Sequence, residues 1–172
     1  MDKDFTDDAL REMIPRMRRF AISLTRNDAT ADDLVQACLE RALVRRTSRQ
    51  DAGDLRAWLF SILYRLFLDG QRRAKRYALV LSLFGVGSDE DSAPSAEDMV
   101  VARSALESFN KLSAEQRALL ILVTVEGLSY REAADALDVP IGTIMSRISR
   151  ARKTLREFSE GRVVPPSMQV LK

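Results

Sequence analysis

Apolar residues recur at intervals of three and four along most of this chain, and each run of that spacing predicts an amphipathic helix. Leu10, Met13, Ile14, Met17, Phe20, Ala21 and Leu24 form the first, with Pro15 either opening its main part or kinking it. Arg16, Arg18 and Arg19 fall between them and read as a solvated face without a role. After a break at Asn27, Leu34, Val35, Cys38, Leu39, Ala42 and Leu43 line a second helix. Asp28, Asp32 and Asp33 near its start suit the helix dipole, a reading ahead of the alternative of an acidic docking face. A polar connector over residues 47–53 leads to Asp54, which caps a third helix along Leu55, Trp58, Leu59, Ile62, Leu63, Leu66 and Phe67. Phe60, Tyr64 and Leu68 lie off that stripe. The third helix must therefore bury two sides or present its aromatics to another molecule. Residues 77–84 either continue it or pack back on the bundle.

Periodicity then disappears over residues 85–98, a small, acidic, proline-containing stretch that reads as a flexible linker. It resumes with Met99, Val100, Ala102, Arg103, Leu106 and Phe109. Ser113 with Gln116 forms a capping box opening a helix apolar almost throughout, which Gly127 closes as a C-terminal cap. A second capping box, Ser129 with Glu132, opens a short helix carrying Ala133, Ala134 and Leu137. Asp138 to Gly142 supply a turn, after which Ile141, Ile144, Ile148, Ala151 and Leu155 recur at helical spacing. The expected fold is all-α, with two small helical domains at 1–84 and 99–160, the linker at 85–98 between them and a tail at 161–172. Prolines in the tail forbid continued helix.

Charge sharpens the reading of the last two helices. The outer face of the final helix is Thr143, Ser146, Arg147, Arg150 and Lys153, and residues 147–156 hold five positive side chains and no acidic one. Two short helices, a tight turn and a basic outer face match a helix-turn-helix, whose second helix fits the DNA major groove. A solvated basic helix at the end of a bundle is the plainer alternative. Capping, turn and apolar spacing coincide with the charge, which favours DNA contact. The net charge of +2 is nearly neutral, so attraction to nucleic acid has to come from local segregation: residues 65–76 and 147–156 are basic, residues 2–8 and 89–98 lean acidic. The third helix also ends in a basic run, GQRRAKR, suited to a phosphate backbone, and its aromatics beside arginines are what unpaired bases stack on. Ordinary core packing remains the commoner explanation for each of those aromatics taken singly.

The 172 residues, 46% of them hydrophobic, are enough for one ordinary domain or two small ones. With no histidine and one cysteine, Cys38, histidine-based catalysis, an intrachain disulfide and the common zinc patterns are excluded. No cofactor, metal or small-molecule substrate is expected, nor an enzyme. A buried Cys38 fits a reducing cytoplasm; no apolar run approaches membrane-spanning length, and no signal peptide is expected from a start, MDKDFTDD, without a basic end or apolar core.

Three stretches, ADDLVQACLERAL, DLRAWLFSILYRLFLDGQRR and EGLSYREAADALDVPIGTIMSRISRAR, in that order and separation, resemble the extracytoplasmic-function (ECF) sigma factors of the sigma-70 family. The resemblance implies a sigma-2 domain followed by a sigma-4 domain, joining core RNA polymerase through its beta-prime clamp and its beta subunit. It implies polymerase contacts at Asp33, Leu34, Gln36, Leu39 and Arg41. The minus 10 promoter element would be melted and held by Arg49, Gly53, Trp58, Phe60, Ser61, Tyr64 and Arg65, with Arg72 and Arg73 beyond them. Many family members carry asparagine where Arg65 stands, so the minus 10 base preference does not transfer. The minus 35 element would be contacted by Thr143 and read by Met145, Ser146, Ser149 and Arg150, with Arg147, Arg152 and Lys153 on phosphates. An anti-sigma partner and a stress-responsive role are further expectations. The rivals are a helix-turn-helix regulator that never joins polymerase and a sigma-like mimic that binds only an anti-sigma protein.

Overall fold

The computed structural model describes residues 5–45, 54–83 and 109–159. The connector at 47–53, the linker at 85–98 and the tail at 161–172 lie outside the described residues. Every regular element among the described residues is helical.

Helix α1 (Asp7–Thr25) starts one turn before its first apolar stripe residue, because Thr6 caps it: the Ala9 N–H donates to Thr6 Oγ1 at 3.2 Å. It runs on through Pro15, which lies on the exposed side, where water can take the carbonyl freed by the missing N–H. Arg26 ends it in the left-handed region. Asn27 caps α2 (Asp28–Arg45) through Thr30 N–H to Asn27 Oδ1 at 2.9 Å. Asp54 caps α3 (Leu55–Leu83), accepting from the Arg56 N–H at 2.9 Å. Residues 77–83 continue α3 rather than folding back, so it is 29 residues long, about 43 Å at 1.5 Å per residue.

In the second half, α4 (Ala114–Leu120) opens on the expected capping box, with Ser113 N–H to Gln116 Oε1 at 3.0 Å and Gln116 N–H to Ser113 Oγ at 3.2 Å. It passes into a π-helical turn at Ile121–Val125, where the Glu126 N–H reaches the Ile121 carbonyl at 2.9 Å. Gly127, at φ +69°, reverses the chain as its cap. One extra residue in that turn rotates the succeeding residues by roughly 100° relative to an unbroken α-helix. Helix α5 (Tyr130–Leu137) carries the second capping box, Ser129 N–H to Glu132 Oε2 at 2.7 Å. Asp138 takes the left-handed cap that aspartate tolerates, and α6 (Ile141–Ser159) comes next.

Helices α1, α2 and α3 pack together in the first half; α6 packs on α4 and α5 in the second. The halves also join: α5 lies against α3, and α4 against α1. Phe20, Phe60, Met17, Leu59 and Leu63 are fully buried in the first half, Leu119, Leu122 and Ile144 in the second, and the buried residues form one contiguous cluster. Phe20 and Phe60 meet edge to face at 5.1 Å, a contact worth about 0.5–1.5 kcal/mol beyond the area buried.

Candidate nucleic-acid interface

The final helix segregates its residues as a groove-reading helix requires. Ile144, Ile148 and Ala151 are buried, whereas Met145, Ser146, Ser149, Arg150, Arg152 and Lys153 are exposed and Thr143 is half-buried. Arg150 is drawn back along the helix, its Nε to the Ser146 carbonyl and its Nη2 to Ser146 Oγ, both at 3.3 Å. Lys153 pairs with Glu157 at 3.7 Å. Arg147 is less accessible and pairs with Glu115 of α4 at 3.3 Å. Ile141, expected on the inner stripe, is instead 46% exposed, one turn from Met145 at 52%. Only the turn geometry before the helix decides that, because Ile141 sits at the first helical position, ahead of the packed face.

On α3 the expected residues divide by helical angle. Trp58, Ser61, Arg65 and Arg72, at steps of three, four and seven, fall on one side; Phe60, Tyr64 and Phe67 form a second stripe centred roughly 120° around the helix from it. The first group is half-buried at Trp58 and Ser61 and exposed at Arg65, Arg72 and Arg73. Trp58 meets Phe5 edge to face at 6.1 Å, and the Ser61 hydroxyl donates to the Trp58 carbonyl at 2.7 Å. In the second group Phe60 is wholly enclosed against Phe20, and Tyr64 is buried with its ring tilted on Phe67. Burial is the main cause that raises the Tyr64 phenol above its usual value; Glu115 adds to the rise and Arg147 opposes it. Those two charges belong to α4 and α6, so Tyr64 faces the second half of the chain. Arg49 and Gly53 lie outside the described residues.

Along α2, Asp33, Gln36 and Arg41 are exposed, Leu34 and Leu39 half-buried, and Gln36 donates to Glu40 at 3.0 Å. Arg18 takes Asp32 at 2.7 Å and reaches Asp28 at 3.8 Å, while Asp33 remains on the surface. Exposed Leu43 and Val44 extend that face. Cys38 lies beneath it, and burial pushes its thiol up to about 12, slightly relieved by Arg41. Among the described residues no group of His, Cys, Asp and Glu could hold a metal ion, and no helix is long and apolar enough to cross a membrane.

Sequence reasoning missed a second set of charged residues. Glu126 is buried, its carboxylate held by Arg16 at 2.6 Å and Arg19 at 3.4 Å, and its carbonyl accepts from Arg56 at 2.8 Å. Arg16 and Arg19 therefore do not form a merely solvated face. Buried Arg117 donates to the carbonyls of Ser23, Leu24 and Leu112, capping the end of α1, whose last turn has no basic residue of its own. Burial lowers its pKa first and Arg26 lowers it further. The sequence signal was slight: a glutamate before Gly127 at a helix end, where a positive residue suits the dipole better.

Residues 10–64 match the family model described as the Sigma2 domain of PhyR, and residues 102–155 the one described as Sigma-70, region 4. The ECF RNA polymerase sigma factor EcfG of Rhodopseudomonas palustris is 38% identical over 160 residues, 88% of this chain and 83% of that protein. ECF RNA polymerase sigma factor SigE of Mycolicibacterium smegmatis is 31% identical over 160 residues, 88% of this chain and 60% of that protein. Among solved structures, the sigma factor RpoE in complex with the anti-sigma factor NepR, from Bartonella quintana, aligns with a TM-score of 0.72 at 35% identity, covering 90% of this chain and 98% of that one. CnrH in complex with the cytosolic domain of CnrY shares the fold, with a TM-score of 0.60 at 23% identity and coverage of 93% of each chain.

Proposed function

The chain belongs to the ECF RNA polymerase sigma factors, and from that premise we propose how its surfaces divide the work of initiation. Helix α6 reads the minus 35 element in the major groove. Helix α3 takes the minus 10 element through Trp58, Ser61 and Arg65, with Arg72 and Arg73 on phosphates. The outer face of α2, with Asp33, Leu34, Gln36, Leu39 and Arg41, docks on the polymerase clamp. Catalysis is left to the polymerase.

The observation that carries this reading is the division of α6 into a buried apolar stripe and an exposed basic face directly after a capped turn. Arginine is the side chain suited to bidentate contact with guanine, and apolar groups suit the thymine methyl. Arg150 supplies the first; Met145 and Ile141, exposed one turn apart, supply the second. Arg147, Arg152 and Lys153 serve phosphates, which steer and hold without reading sequence. On α3, an unpaired base needs a stacking surface, a polar group and nearby positive charge. Trp58, Ser61 and Arg65 on one side of the helix meet those needs, and Phe60, buried against Phe20, serves the core. Tyr64 becomes available only when the second half moves off it.

An anti-sigma factor is the expected regulator, since the relative RpoE was solved in complex with NepR. A cytoplasmic, stress-responsive role accompanies that reading. Run-off transcription by purified core polymerase, with and without this protein, on pooled promoter fragments of the source organism tests the proposal. New start sites that depend on the protein support it. Their absence, with the same polymerase active on another sigma factor, removes it in favour of a regulator or a mimic.

A further inference from the structure

We propose that Phe5 is a positioning residue for promoter opening: it braces the Trp58 indole in the orientation on which an unpaired minus 10 base stacks. This inference rests on the assignment of Trp58 to the minus 10 element. Phe5 precedes residues 10–64, the span that matches the Sigma2 model, and belongs to none of the three stretches that carry the family resemblance. Its ring meets that of Trp58 at 6.1 Å between centroids, with the planes 75° apart. Both residues are half-buried and packed against the core. Each is held by a capping turn. Thr6, directly after Phe5, is extended, its hydroxyl accepting from the Ala9 N–H at 3.2 Å and its carbonyl from the Leu10 N–H at 3.0 Å. Trp58 stands in the first turn of α3, where its N–H donates to the Asp54 carbonyl at 3.1 Å.

An apolar residue directly before a helix cap commonly staples to the fourth helical position, here the buried Leu10. A staple accounts for an apolar side chain at this place, and an aliphatic one would serve. It does not account for a ring set against Trp58. Stacking demands that the indole already hold one orientation when the base arrives, since ordering a mobile ring at that moment subtracts from the binding energy. An edge-to-face neighbour supplies that order. The perpendicular approach also leaves room for the base, because Phe5 can lie over at most one face of the indole. Charge sets the direction in which the strand runs. Exposed Asp7 and Asp8 follow Phe5, whereas Arg65, Arg72 and Arg73 continue from Trp58 along α3. Phosphates are repelled from the Phe5 end and drawn along α3, so Phe5 and Trp58 meet a base and the arginines meet backbone.

Trp58 is the one tryptophan of the chain, so emission from the full-length protein, excited where tyrosine does not absorb, reports this ring alone. Phe5→Leu keeps the staple and removes the ring; Phe5→Tyr keeps both. Phe5→Leu is expected to lower the emission anisotropy of Trp58 and raise its quenching by acrylamide, with far-UV circular dichroism unchanged, while Phe5→Tyr behaves as wild type. The second readout is run-off by holoenzyme from a duplex promoter that depends on this chain. It should fall about twofold to tenfold with Phe5→Leu, the size of one lost ring contact, and return with Phe5→Tyr. Adding Phe5→Leu to Trp58→Ala should cause no further loss, since a residue that acts through Trp58 has nothing to act on once that ring is gone. Unchanged anisotropy and quenching in Phe5→Leu overturn the brace, and so does a loss of run-off that adds in full to that of Trp58→Ala. Higher run-off with Phe5→Leu also overturns it, because Phe5 would then obstruct the base. Loss of helix content does the same, by making Phe5 a folding residue. Full run-off by Phe5→Leu beside a defective Trp58→Ala removes the brace and keeps the minus 10 assignment, whereas full run-off by Trp58→Ala removes both.

Discussion

Arg16 Nε donates to Glu126 Oε2 at 2.6 Å across the join between the two halves, with the glutamate side chain fully enclosed and the arginine one-third exposed. Arg19 approaches the other carboxylate oxygen at 3.4 Å and is more than half exposed. Geometry and burial together rank the two arginines. Arg16→Ala should cost about 2–3 kcal/mol of stability at this join, less than for a wholly unpaired buried charge because Arg19 remains. Arg19→Ala should cost under about 1 kcal/mol, as exposed pairs do. Urea titrations followed by hydrogen exchange on α5 check this order, and equal losses would contradict it.

Arg117 stabilises the same join by a different route. Its guanidinium fork satisfies carbonyls at the end of α1 and at Leu112, away from water. Arg117→Met keeps most of the stem but leaves those acceptors unpaired, for an expected loss of about 2–4 kcal/mol in urea unfolding. Arg117→Lys should recover only part of it, since an ammonium cannot reproduce the planar fork.

The capping box at Ser129 predicts an acid limb. Hydrogen bonds from Ser129 hold the Glu132 carboxyl below its usual 4.5. A depressed folded pKa stabilises above the unfolded value and loses that contribution as pH falls through the folded one. Unfolding free energy should therefore drop below about pH 4.5, and Glu132→Gln should flatten this part of the profile. Ser129→Ala should cost about 1 kcal/mol near neutral pH.

On the recognition helix, Arg150→Ala should reduce discrimination at one base pair of the minus 35 element by about 1–3 kcal/mol. Arg147→Ala should weaken all sequences alike and lower the salt slope by about one. Duplexes with uracil in place of thymine test Met145 and Ile141: a methyl contact predicts weaker binding for the wild type and no difference for the doubly alanine-substituted chain. Binding titrations over a panel of duplexes and salt concentrations measure all three, and parallel losses for Arg150 and Arg147 would sink the division of roles.

Cys38 is the chain's one thiol, and it is buried. With its thiol pushed up to about 12, chiefly by burial, reaction with an aromatic disulfide reagent at pH 8 should be slow and should follow unfolding. Rapid labelling of the native chain would place Cys38 nearer the surface than α2 and α3 put it.

Much of this molecule is written in short-range pattern. Spacing of apolar residues marked the helices because a 3.6-residue turn and one wet face leave little choice of period. Both capping boxes, the Gly127 cap and the Asp138 turn were legible for the same reason: each involves groups within a few residues of one another. The basic outer face of α6 and the family resemblance came from the same local pattern. Where local rules permit two outcomes, the sequence left them open, as with residues 77–83, which continue α3.

Tertiary packing decided the rest. Periodicity assigns a residue to a stripe, but only the neighbouring helices decide whether that stripe faces water, as Phe60, Tyr64 and Ile141 show. Arg16 and Arg19 resembled any solvated arginine until a π-helical turn more than a hundred residues later brought Glu126 between them. Sequence by itself determined the helices that lie among the described residues, both capping boxes and the family, because those depend on neighbours along the chain. Only the folded arrangement determined which charges meet across the join and which reading surfaces are covered, because a buried ion pair is defined by groups that the chain order keeps far apart.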